Sequence, residues 1–373
     1  MKIGFVSSHS FLRPGGVKNH TLALKREFEK QGNEVKLILP REDFFQKKDN
    51  GTILLGGTFY MPGNASKANL SLNVTPFSIL RKLRKEKFDI LHFQNFGVFL
   101  PLQILEASNA INILTMHALM DASRLFKEVP SIINILNGYV IPKFHGLITV
   151  SNPVLSQLKY LGPKKVIPNG IEKKFLNNKK KKIEKFNKND KFLNILFVGR
   201  LEKRKGLIYL LKAFEKLKKD HKRTRLIIVG EGERREKCEN FIKRHKVADV
   251  FFEGEIGDGD LLRYYKTADI CCFPSLYGEA FGIVLLEAMA SSKPIVAFSN
   301  KGYKEVLKGK GENFLVKPKD INGLYKKLEV LTENEKKRKE MGKWGSIESK
   351  KYLWPKIAKD TLKFYDKVIK FKS

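Results

Sequence analysis

Apolar runs of strand length alternate with helix-period segments from the first residue, and the alternation starts afresh near position 190. The first series runs from the strand "KIGFVSS" through the helical "VKNHTLALKREFEKQG" to the strands "EVKLILP", "FDILHFQ", "NILTMHA" and "GLITVS". The second runs from "NILFVGR" through "GLIYLLKAFEKLKKD", "TRLIIVGEG", "RREKCENFIKRHK", "VFFEGEI", "DLLRYYKTA" and "DICCFPS". Strands that alternate with helices build parallel sheets by βαβ crossovers, so two such series predict an α/β chain of two doubly wound, Rossmann-like domains. A length of 373 residues suits two domains at roughly 100 to 200 residues each. The first is expected over 1–171 and the second over 192–353, joined by the exposed Lys-rich connection 172–191, "EKKFLNNKKKKIEKFNKNDK". The last segment, about 354–373, carries Leu353, Trp354, Ile357, Leu362, Tyr365, Val368 and Ile369 on or near one helical face, which needs a surface to cover.

A hydrophobic fraction of 42% marks a globular chain. "MKIGFVSS" has no basic region ahead of a long apolar one, and no run reaches the roughly 18 apolar residues of a spanning helix, so a cytoplasmic protein is expected. Cys238, Cys271 and Cys272 show no zinc spacing and read as core residues of a reducing compartment. The formal net charge of +33 has two readings: attraction to an anionic membrane or to nucleic acid, or lysines spread over solvated helix faces.

Several motifs are weak alone. In "RPGGVKNH", Gly15 and Gly16 open a helix after the first strand, as either a phosphate-approach loop or an ordinary tight turn. "VGEGERR" begins like a dinucleotide fingerprint at Gly230 and Gly232 but has Arg235 where close helix packing needs a third glycine. In "GDGD", Asp258 and Asp260 resemble a metal pair; no further ligand stands near, and Asp260 reads as the N-cap of "LLRYYKTA".

Two stretches are stronger. In "FVGRLEKRKG" a strand ends at Val198, and Arg200 and Lys205 follow it where a parallel sheet receives phosphates, with Lys203 and Arg204 competing for that role. In "GEAFGIVLLEAMASS" a helix is expected from near Gly282, so Glu279 lies in its entry loop and Glu287 in its second turn. The first-turn N–H groups of Phe281, Gly282, Ile283 and Val284 lie between them. A carboxylate, a nest of donors and a second carboxylate match the hydroxyls and phosphates of a nucleotide sugar. A helix-dipole role for Glu279 and a buried lysine partner for Glu287 stay open as alternatives.

In order along nearly the whole chain, "GGVKNH", "FDILHFQ", "LTMHA", "VSNPV", "VIPNGI", "FVGRLEKRKG", "LIIVGEGE", "DLLRYYKTADICCFPS" and "EAFGIVLLE" resemble a family 4 glycosyltransferase of the GT-B fold. The resemblance implies two domains facing a central cleft, a C-terminal helix returning to the first domain, and retaining transfer from a GDP- or UDP-sugar without cofactor or bound metal. It gives Arg200 and Lys205 to the diphosphate, with backbone from Phe281, Gly282, Ile283 and Val284; Glu279 to the transferred sugar; Glu287 to the ribose; and Gly230 and Ile256 to the base. From the first domain it implies Gly16 near the phosphate and His117 as the active-site histidine. Domain closure would exclude water.

The first half is similar in pattern to the phosphatidylinositol mannosyltransferase branch, which suggests Asn64, Ser66 and Asn69 of "PGNASKANLSL" on the acceptor side, although Asn69 replaces that branch's arginine. In "FSILRKLRKEKFD" the strip Ile79, Leu80 and Leu83 beside Arg81, Lys82, Arg84 and Lys85 suits an anionic membrane surface. The expected activity is hexose transfer, mannose or glucose in type, to a lipid or glycan at the cytoplasmic membrane face. A sugar-nucleotide epimerase or soluble synthase of the same fold, and a non-enzymatic basic membrane- or nucleic-acid-binding protein, are the alternatives.

Overall fold

The computed structural model describes residues 1–12, 15–42, 49–61, 68–72, 76–95, 99–120, 134–177, 179–187 and 191–372. The chain divides into two compact units, Met1–Gly170 with Trp354–Ser373, and Ile171–Leu353. Among the described residues no helix is long and apolar enough to cross a membrane.

The first unit is built on an eight-stranded sheet of order β4-β3-β2-β1-β5-β6-β7-β8. Its strands are β1 (Lys2–Ser7), β2 (Glu34–Arg41), β3 (Thr52–Met61), β4 (Ala68–Leu72), β5 (Ile90–Gln94), β6 (Ile111–Met116), β7 (Gly146–Thr149) and β8 (Lys164–Val166). The central runs are apolar on both faces because helices cover both, so β5 is buried at every residue. Helices α1 (Gly16–Glu29), α2 (Pro76–Glu86), α3 (Leu100–Glu106) and α4 (Asn152–Leu155) alternate with the strands. One departure from the expected parallel sheet is its edge, where β3 and β4 pair antiparallel. The last helix, Trp354–Lys372, packs Trp354, Ile357, Phe364, Tyr365 and Val368 into the same core as Ile3, Phe5, Leu24 and Phe28.

Two of the three residues expected as an apolar strip on α2 are buried, and Leu80 is half-buried. Ile79 is 1% and Leu83 9% exposed, while Lys82 Nζ donates to the Leu54 carbonyl at 3.1 Å. Of the basic set Arg81, Arg84 and Lys85 are exposed, and Phe77 of the same helix is 84% exposed. Ile79→Asp should therefore cost about 3 kcal/mol or more in chemical denaturation, by burying a charge in the core. Replacing Arg81, Arg84 and Lys85 together with glutamine should stay within about 0.5 kcal/mol.

The second unit holds a six-stranded sheet of order β11-β10-β9-β12-β13-β14, with β9 (Leu193–Val198), β10 (Thr224–Val229), β11 (Val250–Gly254), β12 (Ile270–Phe273), β13 (Ile295–Phe298) and β14 (Leu315–Val316). All its pairings are parallel. Its helices are α5 (Lys173–Leu176), α6 (Leu207–Asp220), α7 (Arg235–His245), α8 (Asp258–Thr267), α9 (Ile283–Ala290), α10 (Lys301–Val306), α11 (Ile321–Glu333) and α12 (Glu335–Ser349).

Residues 172–191, expected as an exposed connection, belong to this unit. Phe175 and Phe186 are buried, Phe175 lies edge-on to Tyr265, Ile183 N–H donates to Thr267 Oγ1, and Asn194 Nδ2 donates to the Phe186 carbonyl. The lysines around these aromatics are exposed and dominate the composition, which hid the anchors. The N-cap of α8 is Gly257 rather than Asp260, which instead sits in the first turn and pairs with Arg263 one turn on. Cys238, Cys271 and Cys272 are free and buried, as core residues.

Candidate functional site

A doubly wound sheet opens a crevice at the C-terminal ends of the strands where the winding reverses. In the second unit that point lies between β9 and β12, neighbours whose crossovers lead in opposite directions. Arg200 and Lys205 follow β9, and Glu279 and α9 follow β12, so the reversal brings the two strongest motifs of the sequence together.

The meeting is direct. Lys205 Nζ donates to Glu279 Oε1 at 2.7 Å, and Arg204 Nη1 donates to the same oxygen at 2.9 Å. Glu202, itself buried, accepts from Arg204 Nε at 2.8 Å and pairs with Arg200 Nη1 at 2.6 Å. Three cations against two carboxylates leave this cluster one net positive charge. Glu279 is 9% exposed. Burial opposes its charge, but Lys205 and Arg204 outweigh it, so its carboxyl is held below the usual range. Sequence reasoning set Arg204 beside Lys205 as a competitor for phosphate; its bond to Glu279 is a long-range contact that no spacing in the sequence announces.

The helix after Glu279 begins where expected, with Gly282 as N-cap at φ 111. A Cβ there would lie 2.6 Å from the Tyr303 ring, so both the backbone angle and the packing require glycine. Phe281 is buried, and Ile283 and Val284 open the helix with first-turn N–H groups that have no place in the α-helical ladder. Glu287 lies in the second turn and accepts from Tyr265 Oη–H, on α8, at 2.7 Å. Burial, with that carboxylate beside it, pushes the Tyr265 hydroxyl far up, which keeps it a donor. Gly230 follows β10 at φ 131, where a Cβ would meet the Gly199 carbonyl oxygen at 2.1 Å. The turns after β9 and β10 thus touch backbone to backbone. Ile256, after β11, lines a cavity of about 380 Å³ with Glu253, Asp260 and Tyr264.

In the first unit the winding reverses between β1 and β5. Gly16 opens α1 after β1, and His117 follows β6 at the same sheet edge. The His117 N–H donates to Asn95 Oδ1 at 2.7 Å, and its Nε2 meets Gln94 Oε1 at 2.8 Å. Its ring stands edge-on to His20 with centroids 4.5 Å apart. Burial, with His20 and His92 nearby, holds the His117 pKa well below the ordinary value, so the imidazole is neutral near pH 7. His20, the last residue of "GGVKNH", is not among the residues expected at the site; its spacing from Gly16 by one helical turn was the available signal.

Of the expected acceptor residues, Asn64 and Ser66 lie outside the described residues, and Asn69 lies on β4 opposite Tyr60. A cavity of about 800 Å³ opens at the other, N-terminal edge of this sheet, lined by residues such as Phe144, Tyr160, Leu161 and Phe371. None of the expected site residues lines it.

Sequence profiles place the chain. That of the Glycosyltransferase Family 4 matches residues 14–175, and that of the Glycosyl transferases group 1 matches residues 178–346. The chain is 28% identical to a phosphatidyl-myo-inositol mannosyltransferase of Mycobacterium leprae, over 99% of this chain and 97% of that protein. Its fold is similar to that of a sucrose-phosphate synthase of Thermosynechococcus elongatus, with a TM-score of 0.78 at 20% identity over 99% of both chains. It is similar also to the Anabaena protein HepE solved in complex with UDP-glucose, with a TM-score of 0.74 at 17% identity over 98% of this chain and 100% of that one. Two consecutive profile matches, a full-length relative and the same two-unit topology have one meaning: the chain belongs to the family 4 glycosyltransferases of the GT-B fold.

Proposed function

We propose that the protein is a retaining hexosyltransferase that takes its sugar from a nucleoside diphosphate and needs no bound metal for the transfer. The observation that carries this reading is Glu279, buried and ionised, held by Lys205 and Arg204 beside the N-terminus of α9. A diphosphate needs positive charge that does not have to reorganise as the leaving group departs, and Arg200, Lys205, Arg204 and the first-turn N–H groups of α9 supply it. Glu279 then has a task besides neutralising them: it accepts hydroxyl hydrogens from the sugar and sets the field at the carbon under attack. Glu287, oriented by Tyr265, accepts from the ribose diol. Gly230 and Ile256 lie on the turns that would pass the base.

Retention follows if the acceptor attacks from the face the diphosphate leaves, the departing phosphate oxygen taking the acceptor's proton. No side chain need act as general base. Neutral His117, with Gly16 nearby on the first unit's sheet edge, serves as a hydrogen-bonding group for the sugar or phosphate rather than as a cation. The likeness to a mannosyltransferase over the full length supports mannose as the sugar and an inositol-bearing lipid or related glycan as the acceptor, at a cytoplasmic membrane face. The exposed Arg81, Arg84 and Lys85 of α2 would contribute there through their charge.

The test is incubation with GDP-mannose, UDP-glucose and UDP-N-acetylglucosamine, each with inositol-phospholipid vesicles, and NMR of the product linkage. Transfer with the donor's anomeric configuration kept, undiminished by a chelator, is the expected result. An inverted linkage sinks the mechanism, and an epimerised free sugar nucleotide sinks the transferase reading.

A further inference from the structure

His117 does not stand alone on its sheet edge. His20, 4% exposed, comes off α1 with Nδ1 2.9 Å from Asn169 Oδ1. An amide oxygen only accepts, so His20 is the donor, neutral and protonated on Nδ1. Asn169 is itself buried. The His20 ring is edge-on to both His117, at 4.5 Å, and Trp354, at 5.1 Å. Next to Asn169, Gly170 passes so close under Trp354 that a Cβ would lie 2.3 Å from the indole. Asn169 and Gly170 are the last residues before the chain leaves the first unit, and Trp354 is the first on its return.

From these contacts we propose that His20 and Asn169 are positioning residues for His117, fixing its ring plane and its tautomer. Gln94 Oε1 takes the Nε2 proton of His117 on one side; the His20 ring, itself fixed by Asn169, stands edge-on to it on the other. Left to itself, a neutral imidazole exchanges its proton between two nitrogens and rocks about its side-chain torsions. Held in this way it offers one fixed pattern of donor and acceptor to whatever lies at the sheet edge. The arrangement also joins that pattern to both points at which the chain crosses out of and back into the unit.

The kinetic part of the inference rests on the transferase reading of His117; the spectroscopic part does not. With only seven histidines in the chain, long-range ¹H–¹⁵N spectra of the full-length protein resolve each ring. Wild-type His117 should show the Nε2–H tautomer at pH 7. In Asn169→Leu its two ¹⁵N shifts should converge toward a tautomer mixture, kcat should fall about ten- to a hundredfold with donor KM nearly unchanged, and Asn169→Asp, which keeps the oxygen for His20, should recover most of both. Should Asn169→Leu fail to fold by circular dichroism, His20→Leu carries the same expectation. An unchanged His117 spectrum in a folded variant overturns the positioning role. A shifted spectrum in a protein whose wild type transfers no sugar upholds it and overturns the transferase reading instead.

Discussion

Glu279→Gln lowers sugar transfer by about two to three orders of magnitude while the chain stays folded. The substitution is nearly isosteric, so the loop between β12 and α9 keeps its packing, and Lys205 and Arg204 can still donate to the amide oxygen. What goes is a negative charge in a buried place, and with it the charge on the oxygen that would accept from the sugar. Because its two cations hold the carboxyl below its ordinary value of 4.5, Glu279 stays ionised throughout the neutral range, and no loss of activity between pH 6 and 8 should trace to it. Glu287→Gln should be milder, raising donor KM about tenfold with less effect on kcat, since a ribose contact is made alike in ground and transition states. Steady-state kinetics on both variants check the pair. Near-wild-type kcat in Glu279→Gln would remove the residue from the mechanism.

Acid destabilises the first unit through its histidines. Burial lowers the His20 pKa from 6.5 to about 4 despite its bond to Asn169; burial places His92 well below 6.5 too, and partial burial with His20 and His92 nearby does the same for His117. In the unfolded chain all three titrate near 6.5, so between that value and the folded pKa the unfolded state binds more protons and stability rises with pH. The stability is therefore fully present above pH 6.5 and drains away as pH falls toward 4. For His20 alone the drop is about 3 kcal/mol by pH 4, and His92, hydrogen-bonded to Thr115 and Tyr365 in the core, adds to it. Glu279 contributes in the same direction, but only below about its ordinary value of 4.5. Calorimetry at pH 7.5 and 4.5 should show a melting transition shifted down by many degrees, and His20→Gln should shrink the shift. Equal melting at the two pH values would mean that the histidines are solvated rather than buried.

The two series of strands and helices were legible because parallel strands covered on both faces must be apolar throughout, as in β5 and β10, and such runs stand out among charged helices. The elements of the donor half were legible for a related reason. Turns at the C-terminal ends of β9 and β12 carry charged residues and glycines that no core needs, and chain order with strand reversal puts them side by side. What was not legible is contact between distant side chains. Nothing in the local pattern reveals that Arg204 shares the Glu279 oxygen with Lys205, or that Tyr265 donates to Glu287. The strip on α2 was visible, but periodicity says only that Ile79 and Leu83 share a face; their burial shows that the face is covered. The stretch 172–191 misled through composition, since two buried phenylalanines among many exposed lysines average to a polar segment.

On the proposed function, the second unit binds a nucleoside diphosphate at the reversal between β9 and β12. Isothermal titration of the full chain with GDP and with UDP, repeated on Lys205→Ala, tests it most directly. One of the two nucleotides should bind the wild type with a Kd in the micromolar range, and the variant should bind it at least about tenfold more weakly, having lost a charge-assisted contact worth about 1.5 kcal/mol or more. No binding of either nucleotide, or equal affinity in wild type and variant, would contradict it.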